Sequence, residues 1–322
     1  MSSIQSLLTK TVNTLHEKGF EVSKPYINER SSINIVARSN EKLLIVKALS
    51  NVNELKSYCI TEIKKAGYAL RGSPLVVSDK EIDEEIDKEV IYEKQGIYAL
   101  HVDALRKYLE GKRWYVYCKG GRFYVKIDGE RLRRLREKIG LSLGGLANLL
   151  GISRKAVYEY ERDEMDATID VAIKLYEILR EFVNEDEALQ AFKPIDIPIM
   201  MTSPDIRNHD ERFKARRYRL QEEVASKLLK LGFSVLRFRG APFNLIAKGD
   251  NGKKTILILA IETLDERTRE EAEVLRDVAE VAKVKGLIVT RKVSHENEGV
   301  ISSRKLESIS NPDELIEITS SS

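Results

Sequence analysis

Residues 142–162, SLGGLANLLGISRKAVYEYER, hold a spacing that few folds satisfy. Ser142 is placed to N-cap one helix and Ser153 a second, because each hydroxyl can accept from an otherwise orphan backbone N–H of the first turn. Gly151 closes the first helix, where a left-handed residue makes the tight turn. Ala147 is small where the two helices must cross closely, and Leu146, Leu150, Ile152 and Val157 fill the space between them. Ala147, then Gly151, then the branched Val157 give the pattern of a helix-turn-helix. Upstream, Leu132, Leu135 and Ile139 put an apolar stripe on another helix. Downstream, a fourth helix is expected to turn Ile169, Ala172, Ile173, Tyr176 and Leu179 inward.

With Val157 and Tyr160 inward, Arg154, Lys155, Tyr158, Glu159 and Arg162 face outward. A helix that begins Ser-Arg-Lys presents Arg154 and Lys155 at its leading end, where such helices meet base edges. Arginine can grip guanine with two hydrogen bonds, worth about 1–3 kcal/mol of discrimination. Tyr158 and Glu159 complete the candidate base-reading set. Arg131, Arg134, Ser142, Gly144, Gly145, Ser153 and Arg162 are the candidates for phosphate contact. Gly144 and Gly145 are costly in a helix. They either let a phosphate approach the first-turn amides or relieve crowding against a neighbouring helix. Ahead of the helices, WYVYCKGGRFYVKI (114–127) is a hairpin signal with Lys119 and Arg122 at its tip. It reads as a connector or a dimer strand, with a phosphate-touching wing as the alternative.

A chain of 322 residues exceeds one ordinary core. With a net charge of +3, nucleic-acid affinity has to come from local patches. Residues 130–162 carry eight Lys/Arg against four acids, and residues 207–219 carry six against two. Residues 79–93 carry eight acids against two lysines and would be repelled by DNA. Pro194, Pro198 and Pro204 mark an extended linker, and the final Ser-Ser-Ser reads as a frayed end. Cys59 and Cys118 form no metal-binding spacing and are expected to be buried thiols. No apolar run reaches the ~18–20 residues of a membrane span, and the N-terminus lacks the features of a secretory signal. The expected compartment is the cytoplasm. The four histidines are scattered and read as surface residues, and no cofactor motif is found.

The flanks repeat. Gly19, Phe20 and Val22 match Gly232, Phe233 and Val235 at an offset of 213, and Asn34 and Ala37 match Asn244 and Ala247 at 210. A longer turn then restores 213, so that LLIVKALSN answers ILILAIETL; further on SPLVVSDK answers KGLIVTRK. Each copy reads as helix, strand, strand, strand, helix, strand, and the near-continuous Val/Ile/Leu runs imply an α/β sheet covered on both faces. The expected fold class is therefore α/β plus all-α. The domains expected are an α/β domain over 1–110, a β-hairpin connector over 111–129, a helix-turn-helix domain of four to five helices over 130–192, a linker over 193–206, and a second α/β domain over 207–322, the two α/β domains being an internal duplication.

The run from Tyr124 through Ile178, with its SLG.LA..LG.SR...YE and MDA signatures, resembles the long archaeal Cro/C1-type (XRE-type) transcriptional regulators. The resemblance is strongest over residues 123–182. It implies a sequence-specific, dimeric regulator of transcription bound to double-stranded DNA, with residues 153–162 as the helix in the major groove. Leu143 stands where bacterial repressors often carry Gln, so that residue's contacts are not carried over. The flanking α/β halves resemble restriction-endonuclease-like nucleases, including Holliday-junction resolvases, with the chemistry removed. Asn34 and Asn244 replace the metal-binding aspartate. Ile45 replaces the second carboxylate, Lys47 reads as a strand-end lysine, and the second copy has Ile258 to Ala260 at that place. An amide and an aliphatic chain cannot substitute for the anionic oxygens magnesium needs. A non-enzymatic protein without metal or cofactor is expected. The alternatives are a structure-selective nuclease and a protein-binding adaptor.

Overall fold

The computed structural model describes residues 3–28, 30–40, 42–81, 84–85, 87–88, 90–200, 218–249, 254–292 and 299–319. The chain forms two compact units, one joining 1–85 to 198–322 and the other spanning 86–197. Among the described residues, no helix is long and apolar enough to cross a membrane.

The first unit begins with α1 (Ser3–Glu17), which ends at Gly19 with φ +77°. Three antiparallel strands follow, β1 (Glu21–Val22), β2 (Ile35–Arg38) and β3 (Leu43–Asn51). Helix α2 (Ser57–Leu70) crosses over, and β4 (Ser73–Glu81) returns parallel to β3, with β5 (Glu84–Glu85) folding back on β4. Every residue of β3 from Leu43 to Ala48 is buried, as a strand covered on both faces requires.

The second unit holds β6 (Ile91–Lys94), β7 (Ile97–Leu100), α3 (Val102–Leu109), β8 (Val116–Lys119) and β9 (Arg122–Val125). It continues through α4 (Gly129–Lys138), α5 (Leu143–Leu150), α6 (Arg154–Glu161), β10 (Ala167–Thr168), α7 (Ile169–Arg180) and α8 (Glu185–Leu189). Strands β8 and β9 are the expected hairpin, turning through Gly120 and Gly121 at positive φ. Strand β8 pairs with β6 and β9 with β10, so each strand already has a second neighbour, which suits a connector better than a dimer strand. Cys59 in the first unit and Cys118 in the second are both buried thiols. His101 departs from its surface reading: it is buried, and its Nδ1 accepts from the Asp103 amide to cap α3.

The chain re-enters the first unit with α9 (Arg219–Lys230), β11 (Ser234–Arg237), β12 (Leu245–Gly249) and β13 (Lys254–Thr263). It ends with α10 (Glu266–Ala282), β14 (Lys285–Lys292), β15 (Val300–Ser302), α11 (Ser303–Ser308) and α12 (Pro312–Ile318). Strands β11, β12 and β13 are antiparallel and β14 is parallel to β13, the senses found in β1 to β4. Gly232 closes α9 with φ +86°, as Gly19 closes α1, and Phe233 and Phe20 plug the two cores behind them.

Hydrogen bonding corrects the expected alignment of the two halves. The Asn34 side chain accepts from the Ala48 amide, and the Asn34 amide donates to Val46. Asn244 accepts from the Ala260 amide, and its own amide donates to Ile258. Val46 lies beside Leu75, and Ile258 beside Leu287. The offset along β3 and β13 is thus 212 instead of 213, and Lys47 corresponds to Leu259 rather than to Ala260. An Asn clamp ties adjacent strands in both halves, and this backbone constraint sets the register.

Lys47 departs from its strand-end reading as well. It lies in the middle of β3, 7% exposed, with its ammonium donating to Ser31 Oγ at 3.2 Å. Burial pulls its pKa down from 10.5 to about 8. Below pH 8 the lysine is charged in both folded and unfolded chains, and the fold bears the full desolvation cost. Between pH 8 and 10.5 the folded state sheds its proton first, and the cost fades. Lys47→Met should therefore stabilise the protein by about 2 kcal/mol at pH 7, with the gain vanishing above about pH 10. Chemical denaturation of both proteins across that range checks it, and a gain independent of pH would contradict it.

Candidate nucleic-acid interface

Helices α4 to α7 and their neighbours enclose one core, with Leu132, Leu146, Val157, Leu175 and Leu179 fully buried at its centre. The two expected caps form: Ser142 Oγ accepts from the Gly145 amide at 2.9 Å, and Ser153 Oγ from the Ala156 amide at 3.1 Å. Each hydroxyl keeps its hydrogen to donate outward. Gly151, at φ +74°, turns α5 into α6. The fourth helix differs in one position from its sequence pattern. On α7 the inward residues are Ala172, Leu175 and Leu179, while Ile173 is 51% exposed. A helical turn of 3.6 residues carries Ile173 about 100° away from Ala172, and Leu175 takes the inward place.

The outward face of α6 begins with Arg154, which is exposed and has no hydrogen bond or ion pair among the described residues. Lys155 lies 3.5 Å from Glu159 one turn along, so the latter is partly covered by its own helix. Tyr158 is exposed; its hydroxyl accepts from Arg162, whose guanidinium lies 5.4 Å from the ring centre and also binds Glu164 at 2.7 Å. On α4, Arg131 lies 3.7 Å from Asp128, and Arg134 pairs with Glu130 one turn back. Both arginines are exposed, so these pairs are weak and can open towards another anion. At the hairpin tip, Lys119 sits 3.3 Å from Glu93, a residue of the acidic stretch.

The two glycines at the start of α5 are resolved in favour of open space. A Cβ on Gly144 would meet only Ser142 Oγ at 3.8 Å, and one on Gly145 only Ser142 Oγ at 3.4 Å and Leu141 at 3.6 Å. No neighbouring helix crowds either position, and that explanation of their presence falls away.

The sequence reading did not reach the residues that fix α6 to α4. Arg136 is buried, and the Glu161 side chain, 8% exposed, forms a double hydrogen bond with it at 2.5 and 3.1 Å, while Arg136 Nη1 also binds the Leu141 carbonyl at 2.8 Å. At the other end of α4, Gly129 comes so close to the last turn of α6 that a Cβ would lie 2.6 Å from the Tyr160 and Glu161 carbonyl oxygens. The Gly129 amide donates to Asp163, which is held in turn by Lys193 at 2.8 Å. A signal was present: Arg136 is four residues after Leu132 and Glu161 four after Val157, which puts both charges on the buried stripes.

Of the basic run 207–219, residues 207–217 lie outside the described residues, as do the final Ser-Ser-Ser and residues 82, 83, 86 and 89 of the acidic stretch. Among the described residues, no group of side chains fits the metal that a nuclease fold implies. Asn34 and Asn244 spend their side-chain amides on backbone and serine partners, and Ile45 is apolar. Such a set offers no anionic oxygen for a hard cation.

Residues 4–114 match the PD-(D/E)XK superfamily domain, and residues 132–181 match the helix-turn-helix family. The chain is 34% identical to a protein of Pyrococcus horikoshii over 88% of each chain. It is 31% identical to one of Methanocaldococcus jannaschii, over 97% of this chain and 95% of that one. It is 33% identical to one of Thermococcus kodakarensis, over 97% and 94% respectively. Each carries the name "putative HTH-type transcriptional regulatory protein". No solved structure gives a significant match.

The Arg136–Glu161 contact makes a prediction about stability. Arg136→Met strands a buried carboxylate and should cost about 3–5 kcal/mol, whereas replacing Arg136 and Glu161 together with Met should cost far less. Denaturant titration of the single and double variants checks this. A double variant as unstable as the single one would contradict it.

Proposed function

Since the chain belongs to the family of archaeal HTH-type transcriptional regulatory proteins, we propose that it reads a specific sequence in double-stranded DNA by laying α6 in the major groove. The observation that carries this reading is Arg154, exposed and without a hydrogen bond or ion pair among the described residues, at the N-terminal end of a helix whose other face is locked into the core. Arg154 and Lys155 would reach base edges, with Tyr158 and Glu159 beside them. Arg131, Arg134 and Arg162, the hydroxyls of Ser142 and Ser153, and the open amides at Gly144 and Gly145 would hold phosphate. The protein would act in the cytoplasm as a homodimer. Two α6 helices about one helical turn apart, about 34 Å, would select a pseudo-palindromic site.

The α/β halves are, in this account, a duplicated nuclease-like fold over 1–110 and 207–322 that no longer cuts DNA. The matching strand senses, the paired Gly-Phe landmarks and the Asn clamps support duplication. The hairpin 111–129 and the segment 193–206 would join these halves to the DNA-reading domain 130–192. The amide and aliphatic residues in place of carboxylates support a non-enzymatic role.

Gel shifts with a selected duplex test the site. Arg154→Ala should relax sequence preference, whereas Arg134→Ala should weaken all sequences alike and reduce the salt slope by about one unit. If Arg154→Ala and Lys155→Ala leave both affinity and preference unchanged, the assignment of α6 fails. Gly145→Ala separates folding from binding at the phosphate site. It should leave stability equal or raise it by up to about 1 kcal/mol, while lowering duplex affinity severalfold. A variant with unchanged affinity would remove the amides of α5 from the interface.

A further inference from the structure

The corner of the first half in which a nuclease would hold its metal and substrate is not an open cleft. Asn34 and Lys47 both bind Ser31 Oγ, at 2.9 and 3.2 Å, which joins the two positions of the former catalytic set through one hydroxyl. The next residue, Ser32, donates to the buried carboxylate of Glu62 on α2 at 2.6 Å. That carboxylate has two further donors, and both come from the second half of the chain: the Arg239 amide at 2.6 Å and the Gly240 amide at 3.0 Å. The Gly240 carbonyl in turn accepts from the Ser32 amide at 2.6 Å. Backbone meets backbone so closely that a Cβ on Gly240 would collide with the Arg30 carbonyl and lie 2.8 Å from the Ser32 nitrogen. The turn is anchored on each side by a buried ring, Phe238 and Phe243, set edge to face at 5.0 Å.

The reciprocal side is built alike. On α10, Asp277 accepts from the Lys24 amide and Glu273 binds the Lys24 ammonium at 3.0 Å. Arg38, at the end of β2, donates to the Val281 and Ala282 carbonyls at the end of α10, at 2.7 and 2.8 Å. Lys248, which occupies in β12 the place Arg38 has in β2, lies 4.1 Å over the ring of Tyr68 near the end of α2. Each half therefore offers a helix carboxylate to the segment after the other's first strand, and each sends a cation to the other's crossover helix.

We propose that the emptied catalytic corner is the docking site for the Arg239–Gly240 turn of the same chain, which fills the place where substrate backbone would lie. The inference rests on the nuclease-like reading of the first half. A DNA phosphate entering there would have to displace two N–H donors and face the Glu62 carboxylate. The first half is thus closed to DNA by occupation as well as by loss of its carboxylates, and the surface on which the halves meet is consumed within the chain.

Hydrogen exchange and thiol labelling of the full-length protein test the proposal. In the wild type, the 238–241 amides should be strongly protected, and Cys59, one turn before Glu62, should label at least 100-fold more slowly than a free thiol. Glu62→Gln, which keeps the shape but weakens the acceptor, should speed exchange at 238–241 at least tenfold, with the peptides of α5 and α6 unchanged. Gly240→Ala should do the same and expose Cys59. Fast exchange or fast Cys59 labelling in the wild type would overturn the docking, whether or not the variants fold. Unchanged exchange at 238–241 in folded Glu62→Gln would overturn it too. Duplex affinity measured on the same wild-type samples keeps the two readings apart, since its absence would count against DNA reading by α6 and leave the docked turn standing.

Discussion

The ion pair between the Arg136 and Glu161 side chains is the constraint on which the helix-turn-helix unit depends. A base-reading helix works only if its backbone is fixed to within a fraction of an ångström, because a bidentate contact tolerates little error. Apolar packing around Val157 and Tyr160 sets how deep α6 sits but not how it slides along α4. The planar guanidinium, gripped by two carboxylate oxygens and bound to the Leu141 carbonyl as well, fixes that remaining freedom. Gly129 and Asp163 fix the same helix pair at the other end of α4. Both anchors hold the C-terminal end of α6, and at its other end Arg154 is exposed and has no hydrogen bond or ion pair among the described residues.

The α/β unit shows a different economy. Residues that a nuclease fold would devote to catalysis have become structural. The Asn34 amide now clamps strands, Ser31 gathers Asn34 and Lys47, and Glu62 receives the backbone of the other half. Lys47 has lost part of its ordinary proton affinity, because burial opposes its charge and no carboxylate among the described residues compensates. At Asn34, Ile45 and Asn244 the side chains offer no anionic oxygen to a hard cation.

Much of this was legible in the sequence, and the exceptions share a physical cause. The caps at Ser142 and Ser153, the turn at Gly151 and the hairpin through Gly120 and Gly121 depend on local backbone chemistry, which a short window displays. The two α/β halves were visible because Gly19 and Gly232 must both take positive φ. What escaped was set by contacts distant in sequence. The one-residue shift along β13 follows from where Asn244 bonds, Ile173 loses its inward place to Leu175 through helical phase, and His101 is buried as a cap. Arg136, Glu161 and Glu62 are charged residues in the interior, and a reading that expects charge at the surface passes over them. Their positions on apolar stripes were the available clue.

Sequence reading by α6 in a dimeric regulator leaves a signature on the genome. Genome-wide mapping of the sites bound by the full-length protein tests it most directly, because it tests binding and yields the operator together. The bound sites should share a recurring pseudo-palindrome upstream of genes, with half-sites about one helical turn apart, lost when Arg154 and Lys155 are replaced. Occupancy with no shared sequence, or one indifferent to those two residues, would contradict it.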